Sequence, residues 1–236
     1  ITGGSTGWPS VTVDSIERFT FASDANSVDW ADLLSDRHND SAAISSSTYG
    51  WTYGGHNNGG VETDGIERFS FTSQTNSTDW ADCSVSQHGA AGCSSPSHGY
   101  AVCGGRHTGI PPNVPSGTIL NNIDKFPFSS QTTATDVGDI TVIRSGGAGI
   151  SSCDHGYQAG GAQSVTNPNN GAPAWNRTEI DKFSFASDGN STDHGDLPLE
   201  TGAGASHGCG VSGLTHGYSC GGIYSFNNQG HQYPRE

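Results

Sequence analysis

Methionine is absent from this 236-residue sequence, and cations are scarce: nine Lys and Arg stand against 23 Asp and Glu, a net charge of −14. Without a basic stripe to neutralise phosphates, the composition argues against nucleic-acid binding. The same acidity repels anionic membrane surfaces. No apolar run approaches the roughly 18 residues of a membrane span, so no membrane insertion is expected. No stretch reads as a signal peptide. Only 31% of residues are hydrophobic, while Gly occurs 35 times. That combination suits disorder, except that the aromatic and β-branched residues recur at fixed places, which a disordered chain does not need. The reading is many short strands and turns, with a thin core spread along the chain.

No C-x-x-C pair occurs among the six cysteines, which leaves little basis for a zinc or thioredoxin-type site. Cys93 and Cys103 flank a predicted hairpin turn near Ser97-His98, and Cys209 and Cys220 flank another near Leu214-Thr215. Both pairs are candidate cross-strand disulfides, with buried free thiols as the alternative. If bridged, they imply an oxidising location: extracellular, cell surface or virion.

Three blocks recur in a fixed order. The first ends in Gly-Gly: Tyr49 to Gly55, His98 to Gly105, His155 to Gly161 and His216 to Gly222, with a shortened copy at Ile1–Gly4. The second is Ile-acid-base-Phe-x-Phe in four copies: Ile16 to Phe21, Ile66 to Phe71, Ile123 to Phe128 and Ile180 to Phe185. The third is Asp-x-x-Asp-apolar, at Asp29 to Leu33, Asp79 to Cys83, Asp136 to Ile140 and Asp193 to Leu197. The isoleucines are 50, 57 and 57 residues apart, a period that marks a repeat architecture. A single all-β domain over 1–236 is expected, with copies at 1–55, 56–105, 106–161 and 162–222 and a tail at 223–236. The Pro-, Asn- and Gly-rich inserts Arg106–Thr118 and Gln163–Arg177 read as loops on one rim.

Within the second block, alternation at period two puts both phenylalanines on one strand face. Phe19, Phe21, Phe69, Phe71, Phe126, Phe128, Phe183 and Phe185 are therefore the expected repeat core. Either Ile faces a neighbouring sheet or the strand bulges at the charged pair. The charged pair itself reads as a solvated cross-strand pair worth little. The Gly-Gly pairs suit a tight bend.

In this order the blocks resemble the kelch β-propeller repeat, which has a strand ending in Gly-Gly, a strand with an aromatic, and a loop leading to Trp and Leu. Trp30 with Leu33 and Trp80 with Cys83 fit the last part, whereas Val137 and His194 replace Trp in later copies. Gly156 to Gly161 and Ile180 to Leu197 are also similar to repeats in structural and tail-fibre proteins of cyanophages and related aquatic phages. The resemblance implies a kelch-like propeller of about four blades, or an open β-repeat array, in a fibre or surface protein. There are five Gly-Gly strands and four phenylalanine strands. A surplus strand can template pairing with another subunit, which predicts a homo-oligomer or filament.

Several residues suggest chemistry. Asp24, Asp29, Asp188 and Asp193 lie in oxygen-rich loops that resemble calcium sites, although Asx turns account for the same residues. His98, His155 and His216 share one repeat position, as turn caps or as converging metal ligands. The repeated Asp pairs read as structural rather than as glycosidase carboxylates, and no enzymatic activity is expected. Asn39, Asn76, Asn176 and Asn190 fit the N-glycosylation pattern. Trp8, Trp51 and Trp175, with Tyr224 and Tyr233, are candidates for stacking on surface glycans. The expectation is a structural subunit of an extracellular fibre or phage appendage, with a lectin-like propeller module as the alternative.

Overall fold

A computed structural model describes residues 2–6, 11–37, 41–56, 62–106, 118–163, 175–198 and 208–221. Its strands are β1 (Thr2–Thr6), β2 (Val11–Arg18), β3 (Val28–Asp32), β4 (Ala42–Ser45), β5 (Tyr49–Tyr53), β6 (Gly65–Ser70), β7 (Thr78–Asp82), β8 (Ala91–Ser94), β9 (His98–Arg106) and β10 (Thr118–Pro127). They continue as β11 (Thr135–Asp139), β12 (Ala148–Ser151), β13 (His155–Ala159), β14 (Ala162–Gln163), β15 (Trp175–Asn176), β16 (Glu179–Ser184), β17 (Thr192–Asp196), β18 (Cys209–Ser212) and β19 (Gly217–Cys220). No helix occurs among the described residues.

The strands form antiparallel sheets, none closed on itself. Three sheets have four strands each, ordered β4-β5-β6-β7, β8-β9-β10-β11 and β12-β13-β16-β17. A three-stranded sheet, β1-β2-β3, precedes them, and a two-stranded hairpin, β18-β19, follows. The ribbon β14-β15 extends the β13–β16 connection.

Register is set by the repeated blocks. The first phenylalanine of each block faces the glycine of the neighbouring strand: Phe69 opposite Gly50, Phe126 opposite Gly99 and Phe183 opposite Gly156. A Cβ on any of those glycines would collide with the ring. Glycine is thus the shelf on which the ring lies. The pairing of the same strand with its outer neighbour slips at the charged pair, between Ile16 and Glu17, Ile66 and Glu67, and Ile180 and Asp181, with a similar slip between Asn122 and Asp124. The bulge interpretation is therefore the observed one. Gly54 and Gly55 turn the chain with φ of 62° and 103°, values open to glycine at little cost.

Successive sheets meet through their first strands. A Cβ on Gly92 would strike the Ala43 carbonyl, one on Gly149 the Gly92 carbonyl, and one on Gly210 the Gly149 carbonyl. The backbones approach so closely that a serine ladder spans them. Ser45 N donates to Ser94 Oγ (3.1 Å), Ser94 N to Ser151 Oγ (2.9 Å) and Ser151 N to Ser212 Oγ (2.9 Å). Near the opposite edge, Ser77 N donates to Asp32 O, Ala134 N to Asp82 O and Ser191 N to Asp139 O.

Between these two lines of contact lie buried charges. The solvated charge pair expected from sequence is not what forms: Glu67, Asp124 and Asp181 are buried. The bulge turns each acid into the seam with the preceding sheet. Arg37 Nη2 lies 2.6 Å from Glu67 Oε1, and Arg144 Nη2 lies 2.5 Å from Asp181 Oδ2. In the middle seam Gln87 occupies the arginine's place, and Asp124 instead accepts from the Tyr53 hydroxyl, from Ser84 Oγ (2.5 Å) and from Asn122 Nδ2 (2.7 Å). The basic partners turn outward. Arg18 stacks 3.6 Å over Trp30, and Arg68 4.0 Å over Trp80.

Neither disulfide forms: all six cysteines are free thiols. Cys93 faces Tyr100 rather than Cys103, and its thiol donates to the Ile150 carbonyl at 3.4 Å. Cys209 and Cys220 are direct cross-strand partners. The Cys209 thiol instead donates to the backbone carbonyl of Cys220 at 3.6 Å.

Truncating one member of a buried ion pair strands the other charge. Arg144→Met should lower unfolding free energy by about 3–5 kcal/mol, and Arg144→Met/Asp181→Leu should recover most of it, measured by urea denaturation. Burial raises the Glu67 pKa, but hydrogen bonds from Arg37 and Ser77 outweigh it and hold the carboxyl below its ordinary 4.5. The stability it contributes is fully present above pH 4.5 and is lost as pH falls through the depressed native value. In acid titrations followed by thermal unfolding, Glu67→Gln should flatten that part of the pH dependence.

Candidate functional site: the two ends of the sheet series

The phenylalanine blocks do not stay within their own sheets. Each projects onto the aromatic face of the sheet before it. Phe69 packs on Ile16, Trp30 and Leu33 of the first sheet. Phe128 stacks on Trp51 with centroids 4.2 Å apart and planes 11° apart, while Phe126 meets Trp51 edge-on at 6.1 Å. Phe185 stacks on Tyr100 at 4.8 Å, and Phe183 lies 5.5 Å from the same ring. Three sheets thus offer an aromatic seat, and the next sheet fills it.

The fourth seat differs. Tyr157 and His194 stand 5.3 Å apart on the β13–β17 face, where Trp51 and Trp80 stand in the second sheet. No phenylalanine pair covers them among the described residues. A cavity of about 350 Å³ opens there, lined by Ile150, Tyr157, Ile180, His194 and Leu197 beneath the β18–β19 hairpin. The shelf glycine for the missing ring is present as Gly217, whose nearest neighbour is Ile150 instead.

At the other end, the first sheet carries a phenylalanine pair with no seat. Phe19 is 51% exposed and Phe21 97%, and the two rings meet edge-on at 5.5 Å. Described pairing along that edge of β2 runs from Thr6↔Val11 to Thr2↔Ile16 and stops short of Arg18 and Phe19. In the complete sheets the residues equivalent to Arg18 pair with an aromatic: Arg68 with Trp51, Lys125 with Tyr100, Lys182 with Tyr157. The equivalent aromatic on β19 is Tyr218, which is 55% exposed. The first sheet has the last three strands of the four-strand pattern, and β18-β19 has the first two. Each end presents what the other needs.

Other sequence candidates fall elsewhere. Phe126 and Phe183 are buried, Phe69, Phe128 and Phe185 partly so, and Phe71 is exposed. Trp51 is 1% exposed beneath Phe128 and offers no face to a sugar. Trp8, Tyr224, Tyr233 and Asn39 lie outside the described residues, and Trp175 and Asn176 are placed only as the backbone of β15. Asn76 and Asn190 accept hydrogen bonds across seams from Asp32 N and Asp139 N. Asp188 is paired to Lys125 at 2.8 Å, Asp193 accepts from Gly195 N, and Asp24 and Asp29 are exposed. His98 and His216 bond to the neighbouring Ser97 and Thr215 hydroxyls at hairpin turns, and His155 lies against Tyr157. Sequence reasoning missed a different cluster, His56, Glu62 and His88, whose ligand atoms all lie within 4.8 Å of one another. All three fall within the 56–105 copy but outside its three recurring blocks, and they meet at the seam between the second and third sheets.

No protein-family model matches the chain, and comparison with curated proteins finds no significant match.

Burial raises the thiol pKa of Cys83 to about 12, of Cys93 to about 11 and of Cys103 to about 12. These three should stay unlabelled by a thiol reagent in the native protein at about pH 8, close to the ordinary thiol pKa. Cys153, Cys209 and Cys220 are exposed and should react at once; the buried set should react only after denaturation.

Proposed function

We propose that this chain is a structural subunit that assembles end to end, as in an extracellular fibre or a virion appendage. The observation that carries the reading is the complementarity of the ends: Phe19 and Phe21 are exposed at one, and the Tyr157–His194 seat stands open at the other. In the joint, β19 of one copy pairs with the end of β2 in the next that β1 leaves unpaired, beyond Ile16, so that β18-β19 and β2-β3 lie as two halves of one sheet with β1 continuing the line of β19. Arg18 then pairs with Tyr218, and Phe19 lies on Gly217. Phe21 enters the seat over Tyr157. Burying each ring is worth about 1.5–3 kcal/mol, and the added strand pairing fixes direction. A head-to-tail contact of this kind continues indefinitely unless its rotation closes.

The same two halves, meeting within one chain, would make a closed four-bladed kelch-like propeller. The described sheets are not closed, and an open array with unsaturated ends fits them better. A glycan-binding module is the lesser reading, because its best-described aromatic, Trp51, is covered.

The joint predicts its own cross-link. In a background with Cys153, Cys209 and Cys220 replaced by Ser, Arg18→Cys copies mixed with Tyr218→Cys copies should give disulfide-linked heterodimers under mild oxidation. Phe21→Glu in the Arg18→Cys copy should abolish them, the same change in the Tyr218→Cys copy alone should not, and Phe21→Glu in both should leave monomers by mass photometry. Monodisperse monomers with no cross-link, in protein that keeps its native circular dichroism, would sink end-to-end assembly. A bridge formed only within chains carrying both cysteines would establish the closed ring instead.

A further inference from the structure

We infer that His56, Glu62 and His88 form a site for a divalent transition-metal ion, zinc by ligand type, which clasps the seam between the second and third sheets. His56 leaves the Gly54-Gly55 bend after β5, and Glu62 bridges back to it in antiparallel fashion as the chain returns toward β6. His88 comes from the other side of the seam, ahead of β8, and is held by reciprocal backbone bonds with Gly105 at 3.0 and 2.7 Å. The two imidazoles stack with centroids 4.1 Å apart and planes 30° apart. Glu62 Oε1 is 3.3 Å from His88 Nδ1.

That last spacing is the separation that two ligands of a tetrahedral zinc have, about 3.3 Å for bonds of about 2.0–2.2 Å. Rotating the His56 ring out of its stack brings the third ligand to the same centre, since all three ligand atoms already lie within 4.8 Å. The His88 ring is confined on its second side as well: a Cβ on Gly105 would meet it at 3.1 Å. The side chains of His88 and Glu62 are only 14% and 11% exposed, so the site is sheltered without being sealed. Two imidazoles and one carboxylate suit zinc, with a fourth position left for water. The net charge of −14 favours cation capture.

The cluster is not a requirement of the repeat. Tyr53 and Val102 pair with Ile66 and Ile123, which aligns His56 with Gly105; the 57-residue step aligns Glu62 with Ile119 and His88 with Ser145. The following seam therefore packs with none of the three ligand types.

The test is calorimetric titration of zinc into chelator-stripped protein in which Cys153, Cys209 and Cys220 are replaced by Ser. The expected result is one equivalent bound, with His56→Ala and His88→Ala each weakening it by more than about tenfold. Affinity should fall on acidification, because protons compete with the metal for the imidazoles. Zinc should also raise the melting temperature of the parent, and of neither variant. Parent and variants that share the wild-type circular dichroism and bind zinc equally, or not at all, would overturn the assignment.

Discussion

The fold depends on one constraint: each sheet's phenylalanines must find their apolar surface on the sheet before it. With 31% hydrophobic residues, no single sheet can cover both of its own faces. The ring is aimed outward by lying on a glycine of its own sheet, and it is buried by an aromatic of the previous one. Gly99 under Phe126 and Trp51 against Phe128 show both halves of the device. Because the donor of rings always follows the donor of the seat, the series has a direction, and its two ends cannot be alike. Exposed Phe19 and Phe21 and the open Tyr157–His194 seat follow from that asymmetry.

Around the aromatic seam, polar groups set spacing and register. The serine ladder and the backbone contacts at Gly92 and Gly149 hold the first strands close. The buried acids then select their partners: Arg37 for Glu67 and Arg144 for Asp181. Such pairs add little net stability over an apolar filling, but they penalise a slipped seam heavily, since slippage leaves a charge buried alone. In the middle seam Gln87 stands in the arginine's place and Tyr53 and Ser84 donate to Asp124, so the seam requires donors to the acid, not necessarily a cation.

Much of this was legible in the sequence, and the failures are instructive. The three blocks, their period and their strand character come directly from alternation and spacing. The Ile-acid-base-Phe motif misled because period-two reasoning puts acid and base on alternate faces but cannot foresee a bulge that turns the acid inward. Cys93 and Cys103 look symmetric about a turn in sequence, yet the hairpin places Tyr100 opposite Cys93. The unequal fate of the eight phenylalanines was hidden for a different reason: Phe19 and Phe126 occupy equivalent positions, and only their place in the series separates them. The His56–Glu62–His88 cluster is assembled at the seam between two sheets from residues up to 32 positions apart, so no local pattern announces it.

The central claim is that the two ends of the series are halves of one sheet. Amide hydrogen exchange, followed as protein concentration rises, reads both halves at once. Protection of the segments Arg18–Thr20 and His216–Tyr218 should increase together, with a common midpoint. Exchange in both segments that stays as fast as in exposed loops at every concentration would contradict the account.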